Sequence, residues 1–251
     1  MELRNRVALV TGAGQGVGRG IALALGAAGA RIALVGRTRS TLDAVASELR
    51  AGGADALWVV ADATDRTQIR AAVATLEQTW GRLDVLVNSA YEPRVGVFDD
   101  LTAEDARADW TSGFAGPLRF MQECFELLRA SNGCVVNIGA ATGLKPDSTT
   151  FSFYASTKEA LRSLTRTAAM EWGPHGVRVN ALIPLATSPA FDQWGAQHPF
   201  EFQIILDSIP LKYLGDAQHD VGPGVVFLAS DDARYLTGTT LMLDGGRGYL
   251  R

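Results

Sequence analysis

Short runs of aliphatic and β-branched residues alternate along the chain with longer stretches of helical period. Val7–Val10, Arg31–Val35, Ala56–Val60, Leu83–Val87, Cys134–Ile138, Val177–Ile183 and Thr240–Leu243 read as strands, with helical patterns at Val17–Ala28 and Ser40–Arg50 between the first three. The strands are nearly continuous apolar runs rather than alternating ones, which is expected when helices cover both faces of a parallel sheet. The beat is that of βαβ units and predicts an α/β fold. Two helix starts carry caps, Asp65 with Gln68 three residues on and Thr102 with Asp105. The rhythm runs from Val7 to Leu243 without a Pro/Gly/Ser linker, so residues 1–251 are expected to form one domain. It lapses once, between Pro184 and Gly215, where Phe191, Trp194, Phe200, Phe202 and Tyr213 crowd an irregular stretch. Such a stretch reads either as a lid over a binding site or as a subdomain with a small core of its own.

Composition narrows the function classes. The 251 residues are 47% hydrophobic with a formal net charge of −4, enough for a large core and too acidic to offer a broad cationic face. No nucleic-acid or membrane partner is expected, and the short charged N-terminus without a long apolar run predicts a cytoplasmic chain. Cys124 and Cys134, together with His175, His198 and His219, never reach metal-ligand spacing, so no metal is expected and the cysteines read as buried free thiols.

The chemistry begins after the first strand, at Thr11-Gly12-Ala13-Gly14-Gln15-Gly16-Val17-Gly18. Glycines there let a backbone approach a pyrophosphate, and the helix that follows offers it unpaired N–H groups and a positive dipole end. The second strand ends Leu34-Val35-Gly36-Arg37-Thr38, with no carboxylate until Asp43. A guanidinium where an acidic residue would accept from a ribose 2′-hydroxyl favours NADP(H), with NAD(H) second. Asp62, at the end of the third strand, could accept from the adenine amino group or cap the next helix.

Taken in order, Thr11-Gly12-x-x-x-Gly16-x-Gly18, Asp62, Asn88-Ser-Ala90, Tyr154-x-x-x-Lys158, Val177-Arg-Val-Asn180-Ala and Thr237-Gly-x-x-Leu-x-Leu-Asp244-Gly-Gly246 span nearly the whole chain. In this the chain strongly resembles the short-chain dehydrogenase/reductase family. The resemblance implies a Rossmann-like doubly wound parallel sheet of about seven strands with helices on both faces. It also implies cofactor contacts from Gly12, Gln15, Gly16, Val17, Gly18, Arg37, Asp62, Ala63, Asn88, Ala90, Tyr154, Lys158, Pro184 and Thr187. Tyr154 and Lys158 stand one turn apart on a helix, on one face. A free tyrosine has a pKa near 10, and a neighbouring ammonium favours its phenolate. The resemblance makes Tyr154 the acid/base for the substrate oxygen and Lys158 its assistant and the holder of the nicotinamide ribose. It also implies a homotetramer, with a dimer next, through helices between Thr102 and Ala130 and between Ser152 and Trp172.

The chain departs from the family's pattern around the reacting atoms. Ala140 stands where a serine usually hydrogen-bonds the reacting oxygen, and Thr142, Ser148, Thr149, Thr150 and Ser152 are the hydroxyls that could replace it. Gly113 stands where an asparagine usually anchors a water that relays protons to the lysine, leaving room for substrate or for a kink. Tyr91 and Leu185 add bulk where the family keeps glycine. The expected function is an NADP(H)-dependent oxidoreductase acting on a carbonyl or secondary alcohol of an apolar substrate, a cyclic one among the candidates. The two lost side chains keep open a redox-neutral role (dehydratase, isomerase or cyclase) and a non-catalytic nucleotide-binding subunit.

Overall fold

The computed structural model describes residues 2–144 and 150–248. The strands are β1 (Val7–Thr11), β2 (Arg31–Gly36), β3 (Ala56–Val60), β4 (Val85–Asn88), β5 (Cys134–Ile138), β6 (Arg178–Pro184) and β7 (Thr240–Leu243), all parallel, in the order β3-β2-β1-β4-β5-β6-β7. The order reverses between β1 and β4, the point at which sheets of this class open a crevice at the carboxyl ends of their strands.

Both faces of the sheet are buried, and the period of two along each strand divides the core. From β1, Ala8 and Val10 join Ile21 and Leu25 of α1 (Gly16–Ala27), Leu42 and Leu49 of α2 (Arg39–Ala51) and Val225 of α9 (Gly222–Ala229). Val7 and Leu9 turn the other way, onto Ile69 and Leu76 of α3 (Arg66–Trp80), Phe120 and Leu128 of α5 (Gly116–Ser131) and Ala168 of α6 (Ser152–Trp172). Cys124 and Cys134 are buried free thiols within this core, and burial pushes both thiols well above their ordinary pKa.

Both capping predictions match. Asp65 accepts from the N–H groups of Thr67 and Gln68, and Thr102 and Asp105 form a reciprocal box at the start of α4 (Ala103–Trp110). Asp65, not Asp62, therefore caps α3. One expectation is corrected. The stretch 184–215 is not irregular: it holds α7 (Pro189–Gln197) and α8 (Pro199–Ser208), whose Phe191, Trp194 and Phe202 rings pack together with centroids 5.5–5.7 Å apart. Prolines at both helix starts and the aromatic spacing of α7 obscured the helical period. A π-helical turn, Thr111–Ala115, separates α4 from α5, and Gly113 lies in it. No helix among the described residues is long and apolar enough to cross a membrane.

Candidate active site

The glycine turn after β1 is held against the segment after β4. Thr11 Oγ1 accepts from the backbone N–H groups of Ser89 and Ala90, each at 3.0 Å. Gly12 has φ +68°, and a Cβ there would lie 2.8 Å from the Ala90 Cα. A Cβ on Gly18 would lie 2.4 Å from the Gly12 carbonyl oxygen, so that glycine permits close helix–turn packing. Helix α1 begins at Gly16 with no side-chain cap from Gln15, which leaves its first amides for an anion. The cleft there is lined by Gln15, Gly16, Thr187 and Ser188 among others, so Thr187, distant in sequence, is brought to the turn. Val17 packs against the core behind the turn, and Pro184 ends β6 at the same edge of the sheet. This cradle of glycine backbone fits a dinucleotide pyrophosphate.

At the adenosine end, Arg37 Nη1 pairs with Glu92 at 2.6 Å, both side chains being about half exposed. Arg39 stacks over Trp58, 5.1 Å from its centroid, and Asp43 accepts from the same indole, so neither competes for a ribose. Asp62 spends one carboxylate oxygen on the N–H and hydroxyl of Thr64, each at 2.8 Å. Beside it the Ala63 carbonyl lies against Gly116, where a Cβ would come within 2.6 Å of it. Asn88 is buried: its amide donates to Asn137 Oδ1 at 2.8 Å, linking β4 to β5, while its own Oδ1 has no hydrogen-bond partner, and Ala90 borders the cradle.

Helix α6 carries Tyr154 and Lys158. The Lys158 ammonium is buried and donates to the Ile138 carbonyl at the end of β5, at 2.8 Å. It lies 6.0 Å from the Tyr154 ring centroid and 4.3 Å from that of Tyr91. Among the described residues the Tyr154 hydroxyl has no hydrogen-bond partner, which leaves it for a ligand oxygen. Burial, assisted by the charge of Asp109, pushes the Tyr154 phenol up to about 12. Burial also brings Lys158 down to about 8, with Asp109 opposing. Desolvation and the Asp109 carboxylate both favour the neutral phenol, while the Lys158 ammonium stands 6.0 Å from its ring centroid.

At position 113 the kink, rather than room for substrate, is what the structure holds. Gly113 leaves room neither for substrate nor for water: a Cβ there would sit 2.4 Å from Tyr91 Cε2 and 2.5 Å from Thr157 Cγ2. Tyr91 fills the space and donates its hydroxyl to Asp109 at 2.7–2.8 Å. The same fully buried carboxylate accepts from Thr157 Oγ1 at 2.7 Å and from the Arg94 N–H at 2.8 Å. Asp109, Thr157 and Glu92 were not singled out from the sequence: Asp105, one turn earlier, carries a capping signal with Thr102, whereas Asp109 carries no local signal of its burial.

Ala140 is buried and brings no donor. On either side of the site, Thr142 Oγ1 and Ser152 Oγ are buried without a hydrogen-bond partner, although buried hydroxyls are ordinarily satisfied. Thr150 is exposed, and Ser148 and Thr149 lie outside the described residues.

A glycine cradle at the switch point of a doubly wound sheet, with a tyrosine and a lysine one helical turn apart beside it, defines a dinucleotide-binding α/β protein. Residues 12–247 match the family described as enoyl-(acyl carrier protein) reductase. The chain is 33% identical to a 12alpha-hydroxysteroid dehydrogenase of Clostridium sp., over 97% of this chain and 96% of that one. It is 36% identical to a galactitol 2-dehydrogenase (L-tagatose-forming) of Cereibacter sphaeroides, over 98% and 96%. A short chain dehydrogenase from Burkholderia cenocepacia, solved in complex with NADP, superposes with a TM-score of 0.90 at 30% identity, covering 98% of this chain and 99% of that one. The chain belongs to the short-chain dehydrogenase/reductase family of oxidoreductases.

Proposed function

We propose that the protein is an NADP(H)-dependent oxidoreductase that interconverts a carbonyl and a secondary alcohol on an apolar substrate, cyclic substrates included. The observation that carries this reading is the unpartnered Tyr154 hydroxyl beside a Lys158 ammonium fixed by the Ile138 carbonyl, next to a glycine cradle. The nicotinamide dinucleotide, when bound, supplies or accepts the hydride. Gly12, Gln15, Gly16, Val17 and Gly18 present backbone to its pyrophosphate. Arg37 would pair with a 2′-phosphate, Asp62 and Ala63 would hold the adenine, and Ala90, Pro184 and Thr187 would border the rest. In the reducing direction Tyr154 gives its proton to the carbonyl oxygen as the carbon gains hydride, and Lys158 holds the ribose; the reverse reaction returns the proton to Tyr154.

The missing serine is replaced by Thr142 or Ser152, whose buried hydroxyls have no other partner. Ala140 adds no polar side chain beside the reacting pair, and an apolar substrate, as in the steroid-acting relative, is the class tested first.

The test is a fluorescence titration with NADPH, followed by a panel of bulky ketones monitored through oxidation of the cofactor. Tyr154→Phe is expected to keep NADPH binding and lose turnover. Absence of NADPH binding, or full turnover in Tyr154→Phe, overturns the reading; product without cofactor consumption assigns a redox-neutral reaction instead.

A further inference from the structure

The segment after β4 and the π turn between α4 and α5 have exchanged volume. Tyr91 is large where the family keeps glycine, and Gly113 is empty where the family keeps asparagine; the ring at 91 occupies the space at 113. The exchange is built in rather than loose. Both Tyr91 and Thr157, the two neighbours a Cβ at 113 would strike, hydrogen-bond the same Asp109 carboxylate, which also takes the Arg94 N–H. A fully buried carboxylate is costly unless its oxygens are satisfied, and here three donors satisfy it. The outcome is one rigid ring, held at its hydroxyl end, whose face lies 4.3 Å from the Lys158 ammonium. On its other side that ammonium has the Ile138 carbonyl. An ammonium over an aromatic face at this distance is attracted by the ring quadrupole, most strongly when desolvated.

We propose that Tyr91, pinned by Asp109 into the volume left by Gly113, is the positioning residue for the Lys158 ammonium, and that its ring takes the place of a water-holding side chain at position 113. This rests on the reading of Lys158 as the ribose-holding partner of Tyr154. Tyr91 acts through its neighbours: its ring also packs against that of Tyr154, with centroids 5.3 Å apart. It fixes where the ammonium stands, and hence how well Lys158 can meet the ribose hydroxyls of the cofactor.

The experiment compares Tyr91→Leu, Tyr91→Phe and the wild type in NADPH affinity, measured by nicotinamide fluorescence, alongside kcat and KM on a ketone that the wild type reduces. Removing the ring face in Tyr91→Leu is expected to weaken NADPH binding about 2- to 30-fold. Tyr91→Phe keeps the face and is expected to stay within about twofold of the wild type, a rescue by ring alone. Wild-type affinity in Tyr91→Leu overturns the proposal. If Tyr91→Leu fails to fold, the double variant Tyr91→Leu/Gly113→Ala, which refills the vacated space, takes its place under the same criterion. Loss of affinity in Tyr91→Phe as large as in the leucine variant also overturns it, because the ring would not then be what matters. Turnover in Tyr154→Phe tests the acid/base reading separately, so a failure of either can be told from a failure of the other.

Discussion

Gly113→Ala puts the packing around the reacting pair to a direct test. A methyl group at this position meets Tyr91 Cε2 at 2.4 Å and Thr157 Cγ2 at 2.5 Å, about an ångström inside ordinary contact, and both neighbours are tethered to Asp109. Forcing a methyl into a well-packed site costs about 1–3 kcal/mol, and a tethered pair places this site toward the upper end. Alanine regains about 1 kcal/mol of helical preference over glycine, leaving a net loss of about 1–2 kcal/mol. For a chain of this size each kcal/mol moves Tm by about 2–4 °C, so thermal unfolding should shift down by about 2–8 °C. The same substitution in a Tyr91→Ala background meets only the Thr157 contact and partly fills the cavity that Tyr91 leaves. It should cost less there, with a coupling of at least about 0.5 kcal/mol. A Gly113→Ala protein as stable as the wild type, or an equal cost in both backgrounds, refutes the claim that Gly113 exists to seat Tyr91.

Further outcomes are expected around the site. Arg37→Leu should lose about 10- to 150-fold of NADPH affinity, the worth of hydrogen bonds to a charged group, with little change for NADH. Glu92→Gln frees Arg37 from an exposed pair worth about 0.2–1 kcal/mol and should tighten NADPH about 1.4- to 5-fold, whereas unchanged or weaker NADPH binding would remove Glu92 from cofactor selection. Ser152→Ala and Thr142→Ala each delete a buried hydroxyl without a partner, so neither should lower Tm, yet one of them should lower kcat about 10²–10³-fold; full activity in both leaves the missing donor unreplaced. Asp109 raises the Tyr154 phenol, so Asp109→Asn should move the rise of the alcohol-oxidation rate with pH toward lower pH, and a profile shifted upward contradicts that sign.

The sheet was legible because its central strands β1, β2, β4, β5 and β6 are buried on both faces and so run nearly continuously apolar, while the caps of α3 and α4 rest on local hydrogen bonds. The glycine turn and the placing of Tyr154 and Lys158 one turn apart on α6 were legible because strand–turn–helix geometry and a one-turn helical spacing are short-range properties. Helices α7 and α8 were not, because two proline starts and a self-packing aromatic cluster leave no clean periodic stripe. Local spacing alone was enough for the α/β sheet, for the glycine-rich strand–turn–helix after β1 and for the tyrosine and lysine one turn apart on α6. Long-range packing settles that Gly113 yields its space to Tyr91, that Asp109 is a buried anchor and that Arg37 meets Glu92. Each of these depends on which side chains distant in sequence share a volume and exclude water from it, and neither close packing nor desolvation is encoded in the spacing of residues along the chain.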